Sequence, residues 1–320
     1  MTGIPQPTLS KVESGADPGD ERWVALSNIL GVPRTAFEVI DDVLEPVEIF
    51  HRKQRTTPQG AVTKVGAEIA LVRRRVRDLF GDTASSLKHY DLDDGFVTPQ
   101  DIAQYVRRDL TLGAGPIPNL VAVLENAGAT VVRWPLESVQ MDAVAAWPRG
   151  NAPVILIGEH VSPERQRFTM AHELGHAVMH VGGHIDEAQT SHEREADAFA
   201  GELLIPRVAL VQEWPRNPTQ ELLIELKRRW GVSLAALIRR ALDTALITED
   251  QYRAWNITLS TTGMHRREPS PLPREEPMAL GRAIERAMQQ GASVEELASK
   301  AQMTTAEFVS TFAHQKELHS

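Results

Sequence analysis

The amino-acid sequence predicts an α+β fold, mostly helical, with a small sheet laid against one central helix and further helices in both terminal regions. Three observations carry that expectation. Phe168, Met170, Ala171, Leu174, Ala177 and Val178 recur with helical spacing, after the start signal Ser162-Pro163-Glu164. Three short apolar runs precede that helix: Ala129 to Trp134, Met141 to Trp147 and Val154 to Ile157. Helical periodicity and capping residues dominate elsewhere.

The elements follow in chain order. Pro7 to Glu13 reads as a short helix ending at Ser14-Gly15, and Asp20 caps a second that carries Trp23, Leu26 and Ile29. Residues 46–90 hold one long polar helix with Arg73, Arg74, Arg75 and Arg77, whose charges read as a solvated face or a phosphate-contacting patch. Lys88 to Phe96 is a polar break. A helix runs from Pro99 to Leu112, another from Asn119 to Asn126, and Gly128 leads into the three strands. The central helix closes at Gly182-Gly183. Ala198 to Leu204 continues a second apolar helix, and Glu221 to Leu246 reads as helical throughout. His265 to Pro277, rich in proline and charge, reads as a linker or extended arm before two or three short helices in 278–318. The expected organisation is an N-terminal region over 1–45, a helical linker over 46–95, a central domain over 96–262 and a C-terminal region over 263–320.

Composition narrows the function classes. In 320 residues, 43 acidic and 34 basic side chains give a net charge of −9, so a protein that coats nucleic acid over its whole surface is excluded. Cysteine is absent, which removes disulfides and thiolate metal sites. The opening MTGIPQPTLSKVESG lacks an apolar signal segment, and no apolar run reaches membrane-spanning length. The expectation is a soluble, cytoplasmic protein without a membrane partner.

The most informative residues are His172, Glu173 and His176 in FTMAHELGHAVMH. Four residues apart on a helix, two imidazoles share a face about 6 Å apart along the axis and can converge on one metal. Glu173 points beside that metal, where a general base for water belongs. His180 lies another two turns from His172, too far to share its ion, and reads as a supporting or core histidine. A third ligand is sought downstream in SHEREADAFAGELLIP. Glu193 and Asp197 share a helix face, so Glu193 is the favoured ligand, with Asp197 orienting a histidine through its other ring nitrogen. Glu195, His184 and His192 remain alternatives. The donors suit Zn2+, and Mn2+ also fits. The strand from Met141 to Trp147 could pair with an extended substrate. An oxyanion donor is not evident: Tyr90, Tyr105 and Tyr252 lie far away in sequence, and His180, His184 or His192 could serve.

HELGHAVMH followed by EREADAFAGELLIP resembles the ImmA/IrrE family of metallo-endopeptidases, as does RWGVSLAALIRRALDTALIT further on. The likeness spans about residues 96–260. It implies a zinc-dependent, gluzincin-like peptidase with ligands at His172, His176 and Glu193, catalytic Glu173 and supporting Asp197. It also implies a protein substrate, a Cro/CI-type repressor whose cleavage controls transcription. GIPQPTLSKVESG and RWVALSNILGVPRTAF resemble the recognition helix and last helices of a Cro/CI-type (Xre) helix-turn-helix domain that lacks its first two helices. Gln6 and Lys11 are the DNA-contact candidates of that remnant. The alternative expectation is a DNA-binding regulator or antitoxin-like protein, with a toxin partner, whose metal domain is sensory or structural.

Overall fold

A computed structural model describes residues 4–30, 33–37, 49–51, 59–81, 84–92, 97–134, 136, 142–147, 152–180 and 189–312. The elements in order are α1 (Gln6–Glu13), α2 (Asp20–Leu30), a 3-10 turn (Arg34–Phe37), β1 (Ile49–His51), α3 (Gln59–Phe80), α4 (Pro99–Asp109), α5 (Leu120–Asn126), β2 (Thr130–Trp134), β3 (Ala143–Ala146), β4 (Val154–Gly158) and α6 (Pro163–Met179). There follow α7 (Gln189–Leu204), α8 (Arg207–Glu213), α9 (Gln220–Trp230), α10 (Leu234–Asp243), α11 (Glu249–Thr261), α12 (Ala279–Gln289), α13 (Val294–Lys300) and α14 (Thr305–Phe312). Among the described residues, no helix is long and apolar enough to cross a membrane.

The chain divides into two compact units. One comprises Met1–Val43, Leu71–Gly81 and Leu280–Ser320. Here the arginine run meets a use that the sequence reading did not foresee. Arg75 is buried and donates to Glu307 at 2.7 Å, and Arg74, also buried, donates to Gln302. These two guanidiniums therefore neither form a solvated face nor offer themselves to phosphate. Gln6 and Lys11 are exposed on α1.

The other unit comprises Leu44–Ala70 and Asp82–Ala279. Its sheet has the order β1-β3-β4-β2. β4 is its spine, parallel to β2 and antiparallel to β3, and all five of its residues are buried. An apolar run covered on both faces does not alternate, which is why VILIG reads as continuous. β1 pairs antiparallel with β3, placing Phe50 opposite Ala145. Both edges of β3 are thus paired within the chain, by β1 and by β4.

α6 is buried on nearly every side. Ser162 caps it by accepting from the Arg165 amide, and Pro163 takes the first turn. Its last carbonyls are satisfied from the 84–92 segment: Tyr90 N donates to Val178 O at 2.7 Å, and His89 Nδ1 lies 3.1 Å from Ala177 O. Gly182 and Gly183, expected to close this helix, lie outside the described residues.

The stretch from Glu221 to Leu246, which reads as strongly helical, is made of α9 and α10, divided where Gly231 turns left-handed (φ 66°) and Ser233 caps the next helix. The proline-rich stretch 265–277 lies outside helix and strand, is exposed over much of its length, and is pinned as a strap by two of its carboxylates. Glu275 pairs with Arg167 and accepts the Leu120 and Val121 amides that open α5. Glu268 accepts from the Leu234 amide and from Lys227. The partners of Glu268 and Glu275 lie far along the chain, whereas Arg266, Arg267 and Arg274 are exposed.

Candidate metal centre

α6 and α7 make the site. Gly175 lets them approach: a Cβ there would meet Phe199 Cδ1 at 2.9 Å. The far end of α7 is anchored by buried Glu202, which pairs with Arg240, and by Arg107 donating to Leu203 O. α7 thereby brings Glu193 to the two histidines of α6.

The geometry is tight. His172 Nε2 lies 3.0 Å from His176 Nε2, 3.5 Å from Glu193 Oε2, and His176 Nε2 lies 3.3 Å from Glu193 Oε1. A tetrahedral ion with bonds of about 2.0–2.1 Å holds its ligand atoms about 3.3–3.4 Å apart. The nitrogen–nitrogen distance and the two nitrogen–carboxylate contacts, one to each Glu193 oxygen, fall around that spacing, and the three residues form a group able to hold a metal.

Proton placement around the rings points the same way. His172 Nδ1 lies 2.8 Å from Asp197 Oδ1, which places a proton there; in the neutral ring that metal binding requires, Nε2 is left as an acceptor. His176 Nδ1 faces His180 Nδ1 at 3.0 Å, and His180 Nε2 faces Glu195 Oε2 at 2.8 Å. One arrangement satisfies this relay: Glu195 accepts from His180 Nε2–H, and His180 Nδ1 accepts from His176 Nδ1–H. Both Nε2 lone pairs then converge with a carboxylate on one point. Three converging acceptors repel one another unless a cation joins them.

Electrostatics reflect that crowding. Burial opposes protonation of His172, but hydrogen bonds to Asp197 and Glu193 and the charge of Glu173 together outweigh it and raise its pKa to about 9. Burial pushes Glu193 upward, yet His172 and His176 hold it well below the ordinary carboxylate range. Burial first, then the neighbouring His176 and His192, lowers His180 to about 3, so it is a neutral relay member near pH 7. Glu173 is fully buried beside His172.

The structure thus brings together His172, His176 and Glu193, with Glu173, Asp197 and His180 around them. Glu195 turns to His180, away from the cluster, and His192 stacks on His180 with ring centroids 4.2 Å apart. His184 lies outside the described residues. The partnership of Glu195 with His180 was missed in sequence because 15 residues separate them. His89 was also missed. It lies against Trp147 at 4.2 Å, between the end of β3 and the last turns of α6.

Comparison with known proteins falls on this region. Residues 124–242 match the IrrE N-terminal-like domain of Peptidase M78. Every residue of the cluster lies within that span, and a metallopeptidase domain of this type implies a divalent metal. Over 96 residues the chain is 32% identical to the radiation response metalloprotease IrrE of Deinococcus radiodurans. That alignment covers 27% of this chain and 29% of the relative's length.

Proposed function

We propose that the chain is a zinc-dependent endopeptidase that cleaves a regulatory protein, with a Cro/CI-type repressor as the substrate class and control of transcription as the outcome. The observation that carries it is the convergence of His172 Nε2 and His176 Nε2, 3.0 Å apart, on the Glu193 carboxylate, at 3.5 Å to Oε2 and 3.3 Å to Oε1 respectively. Two imidazoles and one carboxylate suit zinc, and manganese accepts the same donors. Zinc held there supplies Lewis-acid polarisation of a peptide carbonyl and activation of water.

The remaining work falls to the chain's own groups. Glu173 takes the proton from the attacking water and passes it to the departing amine. Asp197 and the Glu195–His180 relay hold the two imidazoles in the tautomer that keeps Nε2 lone pairs turned inward. Burial of Glu173 keeps bulk water away from the transferred proton. The repressor assignment rests on the family resemblance of the sequence.

The test is cleavage of a Cro/CI-type repressor incubated with the full chain. Two defined fragments are expected with zinc and none after chelation, read by intact-mass spectrometry. A repressor left whole by the zinc-loaded chain contradicts the substrate assignment. Fragments that persist after chelation contradict the metal mechanism.

A further inference from the structure

β3 runs alongside the helix that carries His172, Glu173 and His176. At one end, Asp142, which precedes β3, pairs with Arg165 near the start of α6. At the other, Trp147 packs at a tilt against His89, whose Nδ1 meets Ala177 O. From residue 165 to 177 a helix rises about 18 Å. From residue 142 to 147 a strand advances about 17 Å. Val144 and Ala145 therefore stand level with the turn of α6 that bears His172 and Glu173.

An extended segment paired with β3 would consequently be presented along the site. One edge of β3 is filled by β4, over Ala143↔Ile157 to Ala146↔Val154. The other is held by β1, with Ile49↔Ala146, Phe50↔Ala145 and His51↔Val144. β1 and β3 both lie against α6. Among the described residues, three positions of β1 pair with β3.

We propose that β1 is an internal stand-in for substrate: it occupies in cis, as an antiparallel strand, the β3 edge that an extended protein segment uses, and it leaves that edge when such a segment docks. Main-chain pairing of this kind recognises backbone conformation first and side chains second, which suits an unfolded stretch of a protein. The inference rests on the peptidase reading, since it assigns the substrate track of that site.

The test uses the full chain with Glu173→Gln, so that binding is read without cleavage. The probe is a fluorescein-labelled peptide of this chain's residues 45–57, EPVEIFHRKQRTT. Phe50→Pro and the pair Ile49→Pro with His51→Pro are compared with the unmodified strand, because ladder N–H groups alternate along an antiparallel pair. One of the two variants should bind the peptide at least about tenfold more tightly by anisotropy, since the competing strand has lost its donors. Equal affinity in all three chains, or no binding in any, overturns the proposal. Hydrogen exchange on the chain with β1 unmodified gives a second reading that needs no proline. Saturating peptide should speed exchange at the amides of 49–51 while those of 143–146 stay protected; unchanged exchange at 49–51 with peptide bound overturns it. Neither reading uses zinc or hydrolysis, so failure of the peptidase reading would show in the cleavage assay instead.

Discussion

Glu173→Gln lowers cleavage by about 10²- to 10⁴-fold while the metal stays bound, the range expected when a general base is lost. The amide keeps the shape of the carboxylate and cannot accept a proton from water. Glu173 is fully buried, on the residue next to His172, and is not among the three groups whose ligand atoms converge. Its replacement should therefore leave the donor set of His172, His176 and Glu193 intact. Steady-state cleavage and metal content are measured on the same sample. A variant that retains more than about a tenth of the activity removes Glu173 as the base. A variant that loses its metal places Glu173 among the ligands instead.

Lys227→Met lowers the stability of the unit that holds the site by about 3–5 kcal/mol, as expected when one member of a buried charge cluster is removed. The Lys227 side chain is fully buried, and its Nζ reaches Glu164 at 3.0 Å, Glu268 at 3.1 Å and the carbonyls of Pro269 and Ser270 at 3.1 and 3.3 Å. It thus ties α9 to the first turn of α6 and to the strap. Methionine fills a similar volume but leaves Glu164, itself 2% exposed, without its counter-charge. Burial already raises the Glu268 carboxyl, and Lys227 opposes that shift; without the lysine, Glu268 takes up a proton more readily. Urea unfolding of the full chain, followed by tryptophan fluorescence, reads the loss as a lower midpoint. Adding Glu164→Gln should recover part of it, because the orphaned charge disappears. A change below about 1 kcal/mol would mean that the cluster is solvated in solution.

The contrast between these two sites shows what sequence carries. The centre was legible because its determinants are local: an N-cap, a helical period, and pairs four residues apart on α6 and α7. The folded chain then closes the two helices on each other through Gly175 and Phe199. The break at Gly231 was also readable in principle, since glycine followed by Ser233 is a stop and a cap; the apolar period on both sides hid it. Other features are tertiary. The partners of Glu268, Glu275 and Arg75 lie at least 34 residues away, and Arg74 adds distant Gln302 to its local pairing with Asp78, so sequence does not show them. Among the described residues β1 covers three positions, too few for an alternating pattern to be read. That strand pairs with β3, the strand that the sequence offers as a partner for an extended substrate.

The most direct measurement is X-ray absorption at the zinc edge of the zinc-loaded chain and of its His176→Ala and Glu193→Gln variants. One zinc per chain is expected, with two imidazole nitrogens and at least one carboxylate oxygen at about 2.0–2.2 Å. His176→Ala should remove one imidazole from the spectrum, and Glu193→Gln should remove the carboxylate. A zinc whose coordination is unchanged in both variants, or a chain that takes up no stoichiometric zinc, would contradict the account.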